Sequence, residues 1–502
     1  MSITNIPSAW FSGRTLLRTD LKPENMTAAA IAEDLVRILP EQSYNVQKIR
    51  ALQEYMRGWH PEIMARVKTT RTDVDNKVPV DYAWSITREI VGYFLGKPIQ
   101  YTHRKSNRNN RRSMEAFNTA LNAENKGLTD YQIAEDCSIC GIGFRGIFAE
   151  SRPTNGTHLK QMRLDPLNTF VVYSSDPLLG AVYAVTAYEN QGADRQIYYK
   201  VYTANAMYLY KSAGDNGMSA IGGSKLSLIE SKLISFGGGL PIVEYENNMW
   251  RMGDWEMALP ILDALDFVTS DGVNDIQQAV NSVLVVLGAE MTDDIFDNLS
   301  QHGFLAVTDV PVGVRPEIKF ISEAMPADAG IAIRDYLEAT LRVIVGVPDR
   351  KTRSGGGGDT GDAVFIRDGW QDIDLVAASK EQYYIQSERE SLAVILYILD
   401  THKEVSGLSP LDIEIHFNRN KSANIQSKAQ VYTTLVSGDA PLDPADALDI
   451  ADLTNNVHDV ILRSEAYAQK LAERSISRAN VSGDPNSTED AIASPGEDDS
   501  TR

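Results

Sequence analysis

The sequence predicts a mixed α+β, helix-rich fold divided among several domains. Three observations lead there. Apolar residues recur at helical spacing in residues 25–70, 82–95 and 128–140. From Gly143 to Glu244 the pattern changes to short runs of β-branched and aromatic residues separated by turn formers. From Asp254 to Leu399 the chain returns to long helical segments, interrupted by a compact insert and a glycine-rich loop.

In the first region Leu35, Leu39, Val46, Ile49, Leu52 and Tyr55 fall near helical spacing. Residues 82–95 form a second amphipathic segment, stopped by Gly96 and Pro98, and residues 128–140 a third. Strands are expected at 144–149, 169–173, 181–188, 196–202, 207–210 and 240–244. Residues 213–223, with their glycines, are expected to be a loop.

Beyond residue 254, Val273, Ile276, Val280, Val283 and Leu287 step in a heptad-like seam. Polar residues, among them Asp263, Asp266, Ser270, Asn274 and Gln278, take the opposite side. The insert at 290–322 is expected to hold a short helix at 293–299 and strands at 303–307 and 317–321. Pro326 opens the next helix, with Asp328 near its positive end. Its apolar stripe is Ile333, Leu337, Leu341 and Ile344, and Gly346 and Pro348 end it. After the loop at 349–361 a third long helix is expected over 362–399, with Gly369 as a point of bending. A strand at 411–417 and helices at 424–436 and 445–473 follow. From Ser475 the composition is polar and acidic, that of a segment too poor in apolar surface to order itself.

The formal net charge is −20, from 68 acidic and 48 basic residues. Such a chain is a poor candidate for coating a phosphate backbone, which needs clustered cations. It suits a surface that repels a polyanion or lets it slide. The start, MSITNIPSAWFSGRT, lacks a basic stretch followed by an apolar run, so a soluble chain made in a cytoplasm is expected. The longest uncharged apolar-rich runs, at 279–289 and 391–399, fall short of the ~20 residues of a spanning helix. Two cysteines exclude a disulfide framework.

The familiar chemical motifs are weak here. Gly141-Ile-Gly143-Phe-Arg-Gly146 matches G-x-G-x-x-G, but a helix precedes it and a strand follows, the reverse of a dinucleotide site. A helix cap and turn is the better reading. Cys137-Ser-Ile-Cys140 has no second ligand pair nearby and sits at a helix C-terminal end, so it reads as two small core residues. No H-E-x-x-H, G-x-S-x-G or P-loop occurs, and no catalytic residue, cofactor or metal site is expected. The run Gly355, Gly356, Gly357, Gly358 is different. Arg350, Lys351 and Arg353 precede it, so a shape-changing, cationic loop stands between two helical segments.

Four segments, in this order, resemble the portal proteins of tailed phages, especially the siphophage type. They are Tyr55-Met-Arg-Gly58-Trp-His60; Asn76-Lys77-Val78 with Ile90-Val91-Gly-Tyr93-Phe94-Leu95-Gly96-Lys97-Pro98-Ile99-Gln-Tyr101; Pro241-Ile-Val-Glu-Tyr-Glu-Asn247-Asn248 leading into Gly253-Asp254; and the glycine-rich loop. The resemblance spans about residues 45–440. Asp81 stands where that family's block has Asn, Pro260 sits early in a long helix, and the loop is longer and more basic than the pattern requires.

The resemblance implies a portal fold: an N-terminal arm (1–24), an α/β wing (25–253), stem helices (254–288 and 325–346), a small clip between them (289–324), a tunnel loop (347–361), a long wing helix with a strand (362–423), helical crown (424–475) and an acidic tail (476–502). It implies a closed ring of about twelve subunits at one capsid vertex. Double-stranded DNA would pass through it without sequence preference, for packaging, retention and ejection. The terminase motor, then head-completion and tail proteins, would dock at the clip, where Asp293, Asp294, Asp297 and Arg315 are the candidate contacts. Major capsid and scaffolding proteins would surround the ring, with no membrane involved. The tunnel-loop cations would touch phosphates, and Asp263, Asp266, Asn274 and Gln278 would line the wet channel. Two other classes remain open at this stage: another virion subunit, of capsid or tail, and a nucleotide-driven packaging enzyme.

Overall fold

The computed structural model describes residues 13–68, 72, 74–104, 108–153, 155–190, 196–212, 226–280, 283–287, 317–321, 327–348, 370–419, 425–437, 442–451, 453–454, 460–461, 463–464 and 466–473. In chain order its elements are β1 (Arg18–Thr19), α1 (Ala28–Met56), α2 (Pro61–Ala65), α3 (Tyr82–Phe94), β2 (Gln100–His103), α4 (Arg108–Ala123), α5 (Lys126–Cys140), β3 (Ile142–Ala149), β4 (Leu159–Leu164), β5 (Thr169–Ser174), β6 (Ala181–Glu189), β7 (Ile197–Tyr202), β8 (Ala206–Ser212), β9 (Leu226–Leu233) and β10 (Ile242–Glu246). Then come α6 (Leu259–Val280), β11 (Val283–Leu287), β12 (Glu317–Ile321), α7 (Ala327–Val345), α8 (Trp370–Thr401), β13 (Ile413–His416), α9 (Ile425–Ser437) and α10 (Pro444–Ile450). Two compact units result: residues 1–101 with 109–421, and residues 102–108 with 422–502.

In the larger unit, α1 starts at Thr27, whose side chain accepts from the Ala30 amide at 3.3 Å. Its N-terminal half buries Ile31, Leu35 and Ile38 against a six-stranded sheet ordered β1-β5-β6-β7-β8-β9. That sheet is an antiparallel meander from β5 to β9, with β1 added parallel to β5. The C-terminal half of α1 carries Ile49, Leu52 and Tyr55 into a second, larger core. One amphipathic helix therefore serves two cores.

The larger core surrounds a small sheet, β10-β3-β4, covered by α5 and α8. The G-x-G-x-x-G segment explains how α5 and β3 join. Gly141 caps α5 at φ +79, in the left-handed region that disfavours a side chain. A Cβ on Gly143 would fall 2.8 Å from the Ile133 carbonyl oxygen, so glycine lets the helix lie on the strand. Cys137 and Cys140 are buried core residues, as expected, and burial pushes both thiols above their ordinary range.

At the centre lies a buried charge network. Glu388 of α8 is fully buried. It pairs with Lys126 at 2.9 Å and Arg145 at 3.4 Å, and accepts from the hydroxyls of Tyr101 and Tyr245, each at 2.8 Å. Asp130 pairs with Lys126 at 2.9 Å and with Arg145. Two carboxylates thus balance two cations, which is what makes such burial tolerable. Burial opposes ionisation of Glu388, but Arg145 and Lys126 outweigh it and hold its pKa down to about 2.

Several expectations need correction. The first long helix does not run to residue 288. It ends at Val280, and Val283–Leu287 is a strand paired antiparallel with Glu317–Ile321. The run Val-Leu-Val-Val-Leu fits either state by periodicity alone, and its valines and the partner strand favour the extended one. Pro260 falls in the first turn of α6, where its missing N–H costs nothing. The helix expected over 445–473 stops at Ile450, and the described residues 460–461, 463–464 and 466–473 are helical again. The strand expected at 411–417 shortens to Ile413–His416 because a Ser409/Asp412 capping box closes a 3-10 turn before it. β1, β2, α4, β4 and β9 were not anticipated. The loop at 213–223, the short helix at 293–299 and the strand at 303–307 lie outside the described residues.

Replacing Glu388→Gln leaves Arg145 and Lys126 with one anion. Unfolding by denaturant should show a loss of ~3–5 kcal/mol, the cost of breaking a buried pair. A wild-type midpoint in this variant would show that the network is not what holds α8.

Candidate functional site

The helices α6 and α7 pack against each other, and α7 ends at Gly346 with φ +72. Their surfaces decide what this region can do, beginning with the polar stripe of α6. It does not face solvent in this protomer. Asp263, Asp266, Ser270 and Asn274 are buried against residues 55–81 of the same unit.

The residues before α3, Val74–Asp81, run without regular secondary structure, so their amides need acceptors from elsewhere. α6 supplies them. The Val80 amide donates to Asp266 Oδ1 at 2.8 Å, that of Val78 to Ser270 Oγ at 3.0 Å, and that of Asn76 to Asn274 Oδ1 at 2.7 Å. Two residues of extended chain advance about 6.6 Å. Four residues of helix advance about 6 Å. The two repeats therefore keep step over about two turns of helix, through three successive contacts. Asn76 Nδ2 also donates to Gln277 Oε1 at 2.5 Å, and Arg66 pairs with Asp271.

At the N-terminal end of this zipper sits His60, fully buried and stacked on Tyr55 at 3.8 Å between ring centres. His60 Nδ1 lies 2.5 Å from Asp266 Oδ2, and its Nε2 lies 3.7 Å from Asp81 Oδ1. The Tyr55 hydroxyl donates to Asp263 Oδ1 at 3.2 Å. Burial, with Asp266 and Glu62 nearby, raises Asp263 to about 7 against the opposing Tyr55 hydrogen bond. Among the described residues no group of His, Cys, Asp and Glu suits a metal ion.

Asp263, Asp266 and Asn274 were expected to line a channel. They instead serve as acceptors and ring partners inside the protomer. The Gln278 side chain lies outside the described residues, as do Arg350, Lys351, Arg353, Gly355, Gly356, Gly357 and Gly358 of the loop and Asp293, Asp294, Asp297 and Arg315 of the insert.

The unpartnered surface is apolar. Ile276 on α6 is 69% exposed. On α7, Tyr336 is 70% and Val343 80% exposed, with Ile333 and Ile344 about half exposed, while Leu341 and Val345 are buried in the chain's own core. α7 is thus apolar on more than one side, and only one side is covered. Sequence reading chose the stripe through Leu337 and Leu341. It missed the one through Tyr336 and Val343, although the spacing of seven residues was there to be seen.

A raised Asp263 binds its proton more tightly folded than unfolded. Its stabilising contribution is complete below the unfolded carboxylate range and is lost as pH rises through about 7. Protection factors at Asn76, Val78 and Val80, with the intrinsic pH dependence of exchange divided out, should therefore fall between about pH 4 and pH 7. In Asp263→Asn, which keeps the Tyr55 acceptor without the charge, that pH dependence should flatten. Equal pH profiles in the two proteins would remove Asp263 as the cause.

No curated protein matches this sequence. A family model described as phage portal protein, SPP1 Gp6-like, matches residues 36–441. That span takes in β5 to β9 of the six-stranded sheet, the buried charge network and the α6–α7 pair. No helix among the described residues is long and apolar enough to cross a membrane. The chain belongs to the SPP1 Gp6-like family of phage portal proteins.

Proposed function

We propose that this portal protein forms a closed, head-to-tail ring of about twelve copies at one capsid vertex, with α6 and α7 in its wall. The observation that carries this reading is the exposed apolar surface of the two helices, centred on Tyr336, Val343 and Ile276. A helix pair already packed on its own chain gains nothing from such a surface unless another subunit covers it. A heterologous contact either closes or grows into a filament, and family membership favours closure.

In this reading residues 25–253 and α8 form the wing, and α6 and α7 the stem. The antiparallel pair β11 and β12 begins a clip that spans residues 283–321. Terminase, and later head-completion and tail proteins, dock on that clip through Asp293, Asp294, Asp297 and Arg315. Residues 347–361 form the tunnel loop, and 424–475 the crown. Capsid and scaffolding proteins hold the wing. Double-stranded DNA passes through the ring, and the protein acts as a conduit with no chemistry of its own. The cations Arg350, Lys351 and Arg353 meet phosphates weakly and without regard to sequence. The channel wall is drawn from residues of α6 and α7 other than the buried zipper.

Negative-stain images of the purified chain test the ring. Rings with an axial hole are expected, and flat lattices or tubes would point to a capsid or tail subunit instead. Tyr336→Asp with Val343→Asp should abolish rings while leaving a folded protomer by circular dichroism. Rings that persist in this variant would move the interface elsewhere. Changing Arg350, Lys351 and Arg353 together to Ala should leave rings intact and reduce packaged DNA; unchanged DNA length and yield would remove the loop from the channel.

A further inference from the structure

The N-terminal half of α1 and the six-stranded sheet make a two-layer unit whose outer surfaces point in opposite directions. α1 packs on the sheet through Ile31, Leu35 and Ile38. At about 100° per residue, Glu33, Arg37 and Tyr44 fall on its far side with Glu41 beside them, and all four are exposed. The other face of the sheet enters the larger core at Val171, Ala184 and Tyr202. Towards β9 that face is open, with Glu230 and Lys232 exposed. The strand register fixes what it presents. Tyr188, Tyr198 and Lys211 stand opposite one another across β6, β7 and β8. Lys200, Leu209 and Glu230 form the next row, and Met207 and Lys232 the row after that.

In a chain of net charge −20 this face carries Lys200, Lys211 and Lys232 against Glu230. Among the described residues neither these four nor Glu33 and Glu41 form an ion pair. Arg37 pairs with Asp34 at 2.7 Å, and its side chain is still 53% exposed. The signs follow an order. Along β8 and β9, Lys211, Glu230 and Lys232 read plus, minus, plus. Lys232 stands opposite Met207, four residues from Lys211, so the series spans about 13 Å. Along α1, Glu33, Arg37 and Glu41 read minus, plus, minus over eight residues of helix, about 12 Å. The two surfaces are complementary in sign and in spacing.

We infer that the outer side of α1 in one copy packs on the open face of β6–β9 in the next, with Glu33, Arg37 and Glu41 set against Lys211, Glu230 and Lys232. The inference rests on the ring reading and gives it a second contact, apart from the α6–α7 surface. A head-to-tail ring needs two different, complementary surfaces on opposite sides of each subunit. A helix on one side of a sheet and the open face on the other meet that need. Exposed Tyr44 and Tyr188 add the large amphipathic side chains that interfaces favour. A foreign acidic segment would match the lysines but not Glu230. Nucleic-acid bases would find the Tyr188 ring already engaged, by Tyr198 stacked at 5.3 Å and by Lys200 Nζ at 5.5 Å from its centre. Alternating charges of this kind fix the register between partners and exclude wrong ones.

The test uses the full-length chain, with rings counted by negative stain and folding checked by circular dichroism. Lys211→Glu with Lys232→Glu makes the sheet face uniformly acidic, and Glu33→Lys with Glu41→Lys makes the α1 stripe uniformly basic. Each pair should cut the fraction of chains in rings at least about fivefold at low salt. All four changes together restore opposite signs and should bring rings back to within about twofold of the unaltered chain. A cross-link reads the contact directly. Arg37→Cys with Glu230→Cys, treated with a short bis-maleimide, should give a ladder of multimers, while either change alone gives dimers at most. The native Cys137 and Cys140 are buried. Intact rings without a ladder overturn this inference and leave the ring reading standing; an unaltered chain that makes no rings counts against the ring reading instead. Ring losses in both reversed pairs that the four-residue variant does not repair would also overturn it, since the two surfaces would not face each other. So would a labelled polyglutamate peptide that binds preassembled rings only while Lys211 and Lys232 are present, because the face would then be open to an acidic partner.

Discussion

The larger unit depends on a charge placed where water cannot reach it. Glu388 sits near the middle of a helix of 32 residues, about 48 Å long at 1.5 Å per residue. Its carboxylate is met from α5 by Lys126, from β3 by Arg145, from β10 by Tyr245 and from Tyr101. Apolar packing alone would allow α8 to slide or rotate over the small sheet, because leucines and isoleucines are nearly interchangeable as neighbours. A buried carboxylate that finds two cations and two hydroxyls in only one register does not allow that. The network sets the position of α8 rather than adding much net stability, since the desolvation of four charges offsets most of their attraction.

A second constraint fixes the helix pair assigned to the ring wall. Residues 76–80 need acceptors, and α6 provides them at intervals that match the extended chain. This turns the polar stripe of α6 inward and fixes its rotation. With α6 held in this way and packed on α7, Ile276, Tyr336 and Val343 are left outward. The same polar residues that suggested a wet channel are thus the reason an apolar surface faces out. The His60 cluster at the end of the zipper joins α1, Asp81 and α6 through one imidazole.

Much of the architecture was legible. The switch from helical to strand period at Gly143, the long helices beyond residue 254 and the stop at Gly346 follow from local patterns of apolar spacing and turn chemistry. The helix-to-strand order around Gly141 ruled out a nucleotide loop, and the cysteine spacing argued for core. The candidate site was less legible. Asp263, Asp266 and Asn274 are polar, and a polar stripe on a helix is normally a solvated one. That these three are buried depends on a segment almost two hundred residues earlier, and periodicity within one helix holds no information about it.

By itself the sequence determined the element types, the seam of positions at which helices must find partners, the acidic balance of the chain and, through four ordered segments, its family. These are local or compositional properties, carried by side-chain chemistry at fixed short spacings. Only the tertiary structure decided which side of each helix is covered. It turned Val283–Leu287 from the end of a helix into a strand by giving it Glu317–Ile321 as a partner, and it turned the polar face of α6 from a wall into an anchor. Both outcomes follow from the same physical rule: backbone and side-chain polar groups removed from water must be paired, and which pairs form is settled by residues distant in sequence.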